Sequence, residues 1–170
     1  MRILENLLPE LRYLYEAKKV KPKVEFFDNP GHLEEMYLKM YGKGEADEDC
    51  LEYASWSEHY DVYPVKVREK LLKHRKKYNI SIRQIAVESD YTKNWTEGAY
   101  AKNRFKKIRL IKEKGFDFGG NIETYNNRIV ITMFNKETGL TGLMIESREL
   151  TKMIRTMFEY MWESPKTKKN

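Results

Sequence analysis

Cysteine and histidine are scarce in this chain, and each shortage closes off a class of chemistry. Among 170 residues there is one cysteine, Cys50. It cannot form an intramolecular disulfide, and it lacks the Cys/His neighbours of a zinc site. Cys50 is expected to be a packed structural thiol. Only His32, His59 and His74 could serve a Ser-His-Asp arrangement, and none sits in a recognisable motif. His74 shares a surface with Lys70, Arg75 and Lys77 and reads as a solvated helix-face residue, while His32 reads as a turn residue after Gly31.

Long apolar runs are missing as well. No stretch approaches the ~20 residues needed to cross a bilayer, and Met1 to Leu8 has neither a signal-length apolar run nor a small-residue cleavage site. A cytoplasmic address is therefore expected, with no membrane partner. Glycine features such as Gly42-Lys43-Gly44 and Gly119-Gly120 lack the Walker spacing and its Lys-Ser/Thr pair. The acids Glu45 to Asp49 lack the central glycine and distal glutamate of an EF-hand loop, so they read as a solvated acidic loop. No metal and no cofactor is expected.

What the chain does have is polarised charge. The net charge is +6. Residues 34–58 are acidic, with Glu34, Glu35, Glu45, Asp47, Glu48, Asp49, Glu52 and Glu58, whereas residues 66–83 carry Lys66, Arg68, Lys70, Lys73, Arg75, Lys76, Lys77 and Arg83. Where the charge sits matters more than its sum.

The length suits one domain with a real core. Leu4, Leu7, Leu8, Leu11, Leu14 and Tyr15 recur at helical spacing, with Pro9 in the first turn, so residues 1–20 are expected to form an amphipathic linker or dimerisation helix. Lys23 to Phe27 reads as a strand, and Asp28-Asn29-Pro30-Gly31 as a turn capping a helix from His32 to Tyr41 with Leu33, Met36, Tyr37 and Met40 inward. After a loop, Cys50 to Trp56 reads as a strand, Val62 to Tyr78 as a basic helix with Val65, Val67, Leu71 and Leu72 inward, and Ile80 to Val87 as a buried strand. Asp90 or Thr92 can cap a weaker helix through Trp95, Tyr100 and Phe105.

Ile108 to Ile111, Gly120 to Tyr125, Arg128 to Phe134 and Leu140 to Ile145 are then expected as four strands of an antiparallel meander. Asn126-Asn127 suits a type I′ hairpin, because Asn tolerates positive φ. A closing helix would bury Leu150, Ile154, Met157, Phe158, Met161 and Trp162, leaving residues 164–170 as a disordered basic tail. The order predicts an α/β domain over residues 21–163, a mixed sheet flanked by helices.

Three stretches carry a family resemblance. Leu7-Leu8-Pro9-Glu10-Leu11 through Tyr15, with Lys21-Pro22-Lys23-Val24-Glu25-Phe26-Phe27 and the helix ending in Tyr41, resembles the opening of the C-terminal sensor region of TrmB-like transcription regulators. The run from Asn121 to Thr132 and the strand Gly142-Leu143-Met144-Ile145-Glu146 are similar to that region's hairpin and strand. Met157-Phe158-Glu159-Tyr160-Met161-Trp162 resembles its terminal Phe-x-x-x-Trp helix. The resemblance implies a phospholipase D-like fold used to bind an effector or to dimerise, normally behind a winged-helix DNA-binding domain.

Active enzymes of that fold carry His-x-Lys followed by Asp in this hairpin. If the Asp position is Asn126, the Lys position is Asn121 and the His position Gly119, so phosphodiester chemistry by that route is not expected. A winged helix needs roughly 60–80 residues. The sensor pattern begins almost at Met1, so DNA would be reached only through a separate or missing domain.

The expected function is non-catalytic regulation, by sensing a small-molecule effector, by dimerising, or both. Open α/β sheets bind ligands at their strand ends, which makes Phe27, Asp28, Asn29, Ser55, Trp56, Glu88, Asn121 and Glu123 the candidate walls. A homodimer is expected through the apolar first helix around Leu4, Leu8, Leu11 and Tyr15. The alternative is nucleic-acid binding by Lys66, Arg68, Lys70, Lys73, Arg75, Lys76 and Lys77, extended by Lys102, Arg104, Lys106, Lys107 and Arg109, with Tyr78, Trp95 and Tyr100 stacking on bases.

Overall fold

Asn29 and Pro30 start the first helix as the sequence suggests. The Asn29 side chain accepts a hydrogen bond from Gly31 N at 2.9 Å, and Pro30 needs no amide partner in the first turn. The computed structural model describes residues 21–55, 65–90, 92, 105–112, 119–135, 139–164 and 168–169. The expected first helix, His59 and Trp56 lie outside them.

The elements in chain order are β1 (Lys23–Phe27), α1 (Pro30–Tyr41), β2 (Cys50–Ala54), α2 (Val65–Lys77), β3 (Ile82–Val87), β4 (Lys106–Ile111), β5 (Gly120–Tyr125), β6 (Arg128–Asn135), β7 (Gly139–Glu146), α3 (Arg148–Glu163) and β8 (Lys168–Lys169). They build one 8-stranded sheet in the order β1-β7-β6-β5-β2-β3-β4-β8. β2, β3 and β4 are parallel, and β5, β6, β7 and β1 run antiparallel in succession. The two halves meet where β5 pairs antiparallel with β2.

The meander therefore has three strands from the last third of the chain, not four. β4 belongs to the parallel half, because the chain returns beside β3 with Ile82 opposite Lys106. The tail departs from expectation too. Lys168–Lys169 adds a short strand to β4, with Leu110 opposite Lys168.

The hairpin at Asn126-Asn127 is as expected. Both residues have positive φ, 49° and 47°, and Tyr125 faces Arg128 across the turn. Gly120, the first residue of β5, is required by a close approach, since a Cβ there would run into the Thr132 carbonyl of β6.

One core lies under α1 and α2, where Leu33, Met36, Tyr37, Met40 and Leu71 pack on Tyr125, Val130 and Met144. The other lies under α3, where Phe158 and Trp162 cover Leu51, Tyr53, Ile85 and Ile111. The α2 stripe is narrower than its sequence suggests. Leu71 is buried, but Val65 is 59% exposed and Leu72 only half-buried. On α3, Met157 points outward at 61% exposure, and Ser147 caps the helix by accepting from Leu150 N. At residue 89 the cap is reciprocal, Ser89 N donating to Thr92 Oγ1 at 2.8 Å and Thr92 N to Ser89 Oγ at 3.1 Å. Ser89, rather than Asp90, is the capping residue.

Candidate functional site

The seam between the two halves of the sheet carries the densest polar chemistry. Register places Glu52 of β2 opposite Glu123 of β5, with Gln84 of β3 as the next neighbour. Alternation turns Asn121 to the same side as Glu123, toward α1. All four side chains are buried.

Glu123 is well supplied with donors. Asn121 Nδ2 donates to Oε1 at 2.8 Å, Tyr41 Oη to Oε2 at 3.0 Å, and the Cys50 thiol lies 3.7 Å from Oε2. Asn121 Nδ2 also lies 3.2 Å from Tyr37 Oη, which in turn meets Thr132 Oγ1 at 3.2 Å. Lys106 stands 3.7 Å from Glu52, and the Arg75 guanidinium lies 6.0 Å above the Tyr41 ring.

Burial, and then the charge of Glu52, push the Glu123 carboxyl up to about 7, against the opposing pull of Arg75 and the two tyrosine hydroxyls. Burial likewise pushes up the Tyr41 hydroxyl and the Cys50 thiol. Cys50 is thus a buried thiol held in its unreactive form, in keeping with its expected structural role.

A groove of about 430 Å³ opens at the other end of β5, between the hairpin turn and α3. Ala46, Glu48, Asn126 and Asn127 form one wall and Arg148, Thr151, Lys152, Arg155, Thr156 and Glu159 the other. Its acids are already engaged. Glu48 accepts from Asn126 N at 3.0 Å and meets Arg155 at 3.3 Å, while Glu159 accepts from Arg83, which holds its carboxyl below the usual range. Arg148 and Lys152 make no ion pair among the described residues, so the groove offers two uncommitted cations.

The candidate walls from the sequence do not converge. Phe27 is buried at the end of β1, and β7, β6 and β5 separate that strand from Ser55 at the end of β2. Four strand spacings of ~4.8 Å amount to about 19 Å. Asp28 and Asn29 are exposed in the turn, and half-buried Glu88 faces Lys112 at 3.6 Å. Asn121 and Glu123 do come together, inside the core.

The basic helix divides in a similar way. Lys66, Lys70, Lys73, Lys76 and Lys77 are exposed, Arg68 is half-buried, and Arg75 turns its guanidinium inward toward Tyr41. Of the proposed extension, Lys107 is exposed, Lys106 faces Glu52, and Arg109 is buried with its guanidinium 4.4 Å from the Trp162 ring centroid. Lys102, Arg104, Trp95 and Tyr100 lie outside the described residues.

Two further expectations are corrected. His74 is a packed group that donates from Nε2 to the Gly42 carbonyl at 2.7 Å and lies against Tyr78, with ring centroids 4.7 Å apart. The acidic loop is only partly solvated, since Asp49 receives Arg83 at 3.0 Å and Ser81. The groove cations were missed altogether. Their signal was present as basic residues at positions 148, 152 and 155, one helical stripe.

No protein-family model and no curated protein matches the sequence. The architecture is an α/β one, a mixed sheet between helices. In fold the chain is similar to TrmBL2, described as an archaeal chromatin protein with a novel mode of DNA binding, at TM-score 0.54 and 13% identity over 99% of this chain. It spans 65% of the TrmBL2 chain. It is also similar to NucT from Helicobacter pylori, at TM-score 0.58 and 17% identity over 88% of this chain and 100% of that one. No helix among the described residues is long and apolar enough to cross a membrane.

Proposed function

We propose that this chain is a non-catalytic regulatory domain of the TrmB-like type, and that it senses a small polar effector in the groove between the hairpin and α3. The observation that carries the reading is the state of Asn121. Where an active relative of the resemblance would place a lysine, a neutral amide is locked between Tyr37 and Glu123 in the core. An amide held this way can neither attack phosphorus nor neutralise a phosphoryl oxygen. Gly119 and Asn126, at the other two positions, bring no imidazole and no carboxylate. The fold likeness to TrmBL2 supports the regulatory side of the proposal, and the groove has the volume of a small-ligand site.

A thermal-shift screen of anionic metabolites, sugars and nucleotides tests it. At least one compound should raise the midpoint, and Arg148→Glu with Lys152→Glu should abolish that rise without lowering the midpoint of the ligand-free protein. Hydrolysis of a chromogenic phosphodiester above the blank, lost on Asn121→Leu, would overturn it.

A second reading rests on the exposed stripe Lys66, Lys70, Lys73 and Lys77 of α2, which could neutralise several phosphates of a nucleic acid. Binding would then weaken steeply with salt and drop at least tenfold on Lys73→Glu with Lys76→Glu. A flat salt response would remove this reading.

A further inference from the structure

The large apolar side chains left exposed among the described residues are not scattered. Val65 sits on α2. The others are Val24 at 47%, Phe26 at 81%, Met133 at 48%, Met153 at 59%, Met157 at 61% and Tyr160 at 83% exposure. All of these lie on the α3 side of the sheet. Register shows it for β1, because Phe26 lies in one row with Leu143, Ile131, Ile122 and Tyr53, and Tyr53 packs under Phe158 of α3.

The surface has two parts. The first is a floor, the α3-side face of β7, β1 and the end of β6 at Ile131 and Met133, whereas α3 itself packs over β2, β5 and the Ile129 end of β6. The floor rows, Val24-Ile145 and Phe26-Leu143-Ile131, contain no charged side chain, and Ile129 beyond Ile145 is already buried. Three strands at ~4.8 Å spacing make a strip roughly one helix wide. The second part is a ridge. Met153, Met157 and Tyr160 recur at helical spacing on α3, on the flank away from Arg155 and Glu159, which reach Asp49 and Arg83 on the far side. The ridge runs beside the floor.

We propose that this face binds a second copy of the chain, face to face about a two-fold axis, so that the α3 ridge of each copy lies on the β6-β7-β1 floor of the other. A two-fold interface needs a self-complementary surface, and here each copy carries one apolar helix stripe and one uncharged strip of matching width. A segment that filled only the floor would leave Tyr160 uncovered on the ridge, whereas a second copy covers both parts at once. The exposed area of these side chains is roughly 700 Å², near the ~800 Å² that each partner gives to a standard interface. The inference goes beyond the effector reading and stands without it.

Light scattering and sedimentation of the full chain at ~100 μM test the interface. The unaltered protein should have the mass of two chains. Phe26→Glu on the floor and Tyr160→Glu on the ridge should each give a single chain with an unchanged far-UV spectrum, since both positions are solvent-facing within one copy. Val65→Glu, on the opposite side, should remain a dimer. A monomeric unaltered protein would overturn the proposal, as would dissociation by Val65→Glu. Loss of the dimer in only one of the Phe26 and Tyr160 variants would also overturn it, pointing to an occupant of the floor alone, such as residues 1–20, or of the ridge alone.

Discussion

Under α1 and α2 the sheet buries hydrogen-bonded acids, whereas under α3 it buries stacked rings. On the first face Glu123, Glu52, Asn121 and Gln84 lie in the middle of an otherwise apolar layer, and their stability depends on donors from Tyr41, Asn121 and Lys106. On the second, Phe158 stacks on Trp162 at 5.4 Å and meets Tyr53 edge-on at 5.2 Å, while the guanidiniums of Arg83 and Arg109 lie over the rings. A polar layer answers to pH and proton count. A stacked aromatic layer answers to volume.

The largest effect should come from the aromatic side. Phe158 is fully buried and touches both Trp162 and Tyr53, so Phe158→Ala should cost about 3–5 kcal/mol through lost burial and a cavity that rigid neighbours cannot fill. Urea unfolding measures this directly. A loss near 1 kcal/mol would mean that α3 is held by its ion pairs, Arg83 with Glu159 and Arg155 with Glu48, and the contrast between the faces would fail.

The polar side should respond instead to pH. The Glu123 carboxyl ionises near 4.5 in the open chain and near 7 in the fold, so between those values the folded state holds a proton that the unfolded state has released. The stabilisation from this group is fully present below pH 4.5 and is lost as pH rises through 7. At 1.36 kcal/mol per pH unit the difference is about 3 kcal/mol. Glu123→Gln keeps an acceptor for Asn121 and Tyr41 but cannot ionise, so its stability should be level across that window and exceed that of the unaltered chain at pH 8. Parallel pH profiles for the two proteins would remove Glu123 as the cause.

How far the sequence disclosed these faces depended on the range of the interactions. The start of α1 at Asn29-Pro30 and the turn at Asn126-Asn127 were legible because their signals are local, one a side-chain cap and the other a tolerance of positive φ. The partner of β4 was not legible, because Ile108, Leu110 and Ile111 suit a strand of either direction and only the return of the chain beside β3 decides it. The acid pair was hidden for the same reason. Glu52 and Glu123 each look like the solvent-facing residue of a half-buried strand until register sets them side by side under α1. Helix faces misled in another way, since attention to apolar spacing on α3 placed Met157 inward and passed over the cations at 148, 152 and 155.

The smallest effect concerns what each face leaves unsatisfied. The Gln84 amide, wholly buried beside Glu52, and the Thr124 hydroxyl, wholly buried on the α3 side, have no hydrogen-bond partner among the described residues. A buried polar group without a partner costs about 1–3 kcal/mol, so replacing it with an apolar group of similar shape should stabilise the fold by about 1 kcal/mol. Thr124→Val should do so, because its surroundings are apolar and the change is nearly isosteric. Gln84→Met should gain less, since it also removes a polar group that lies beside the buried Glu52 side chain. Urea unfolding of the two variants should therefore rank Thr124→Val above Gln84→Met. Equal gains would show that the Gln84 amide is electrostatically idle, and the polar character of this face would then narrow to the acids and their donors.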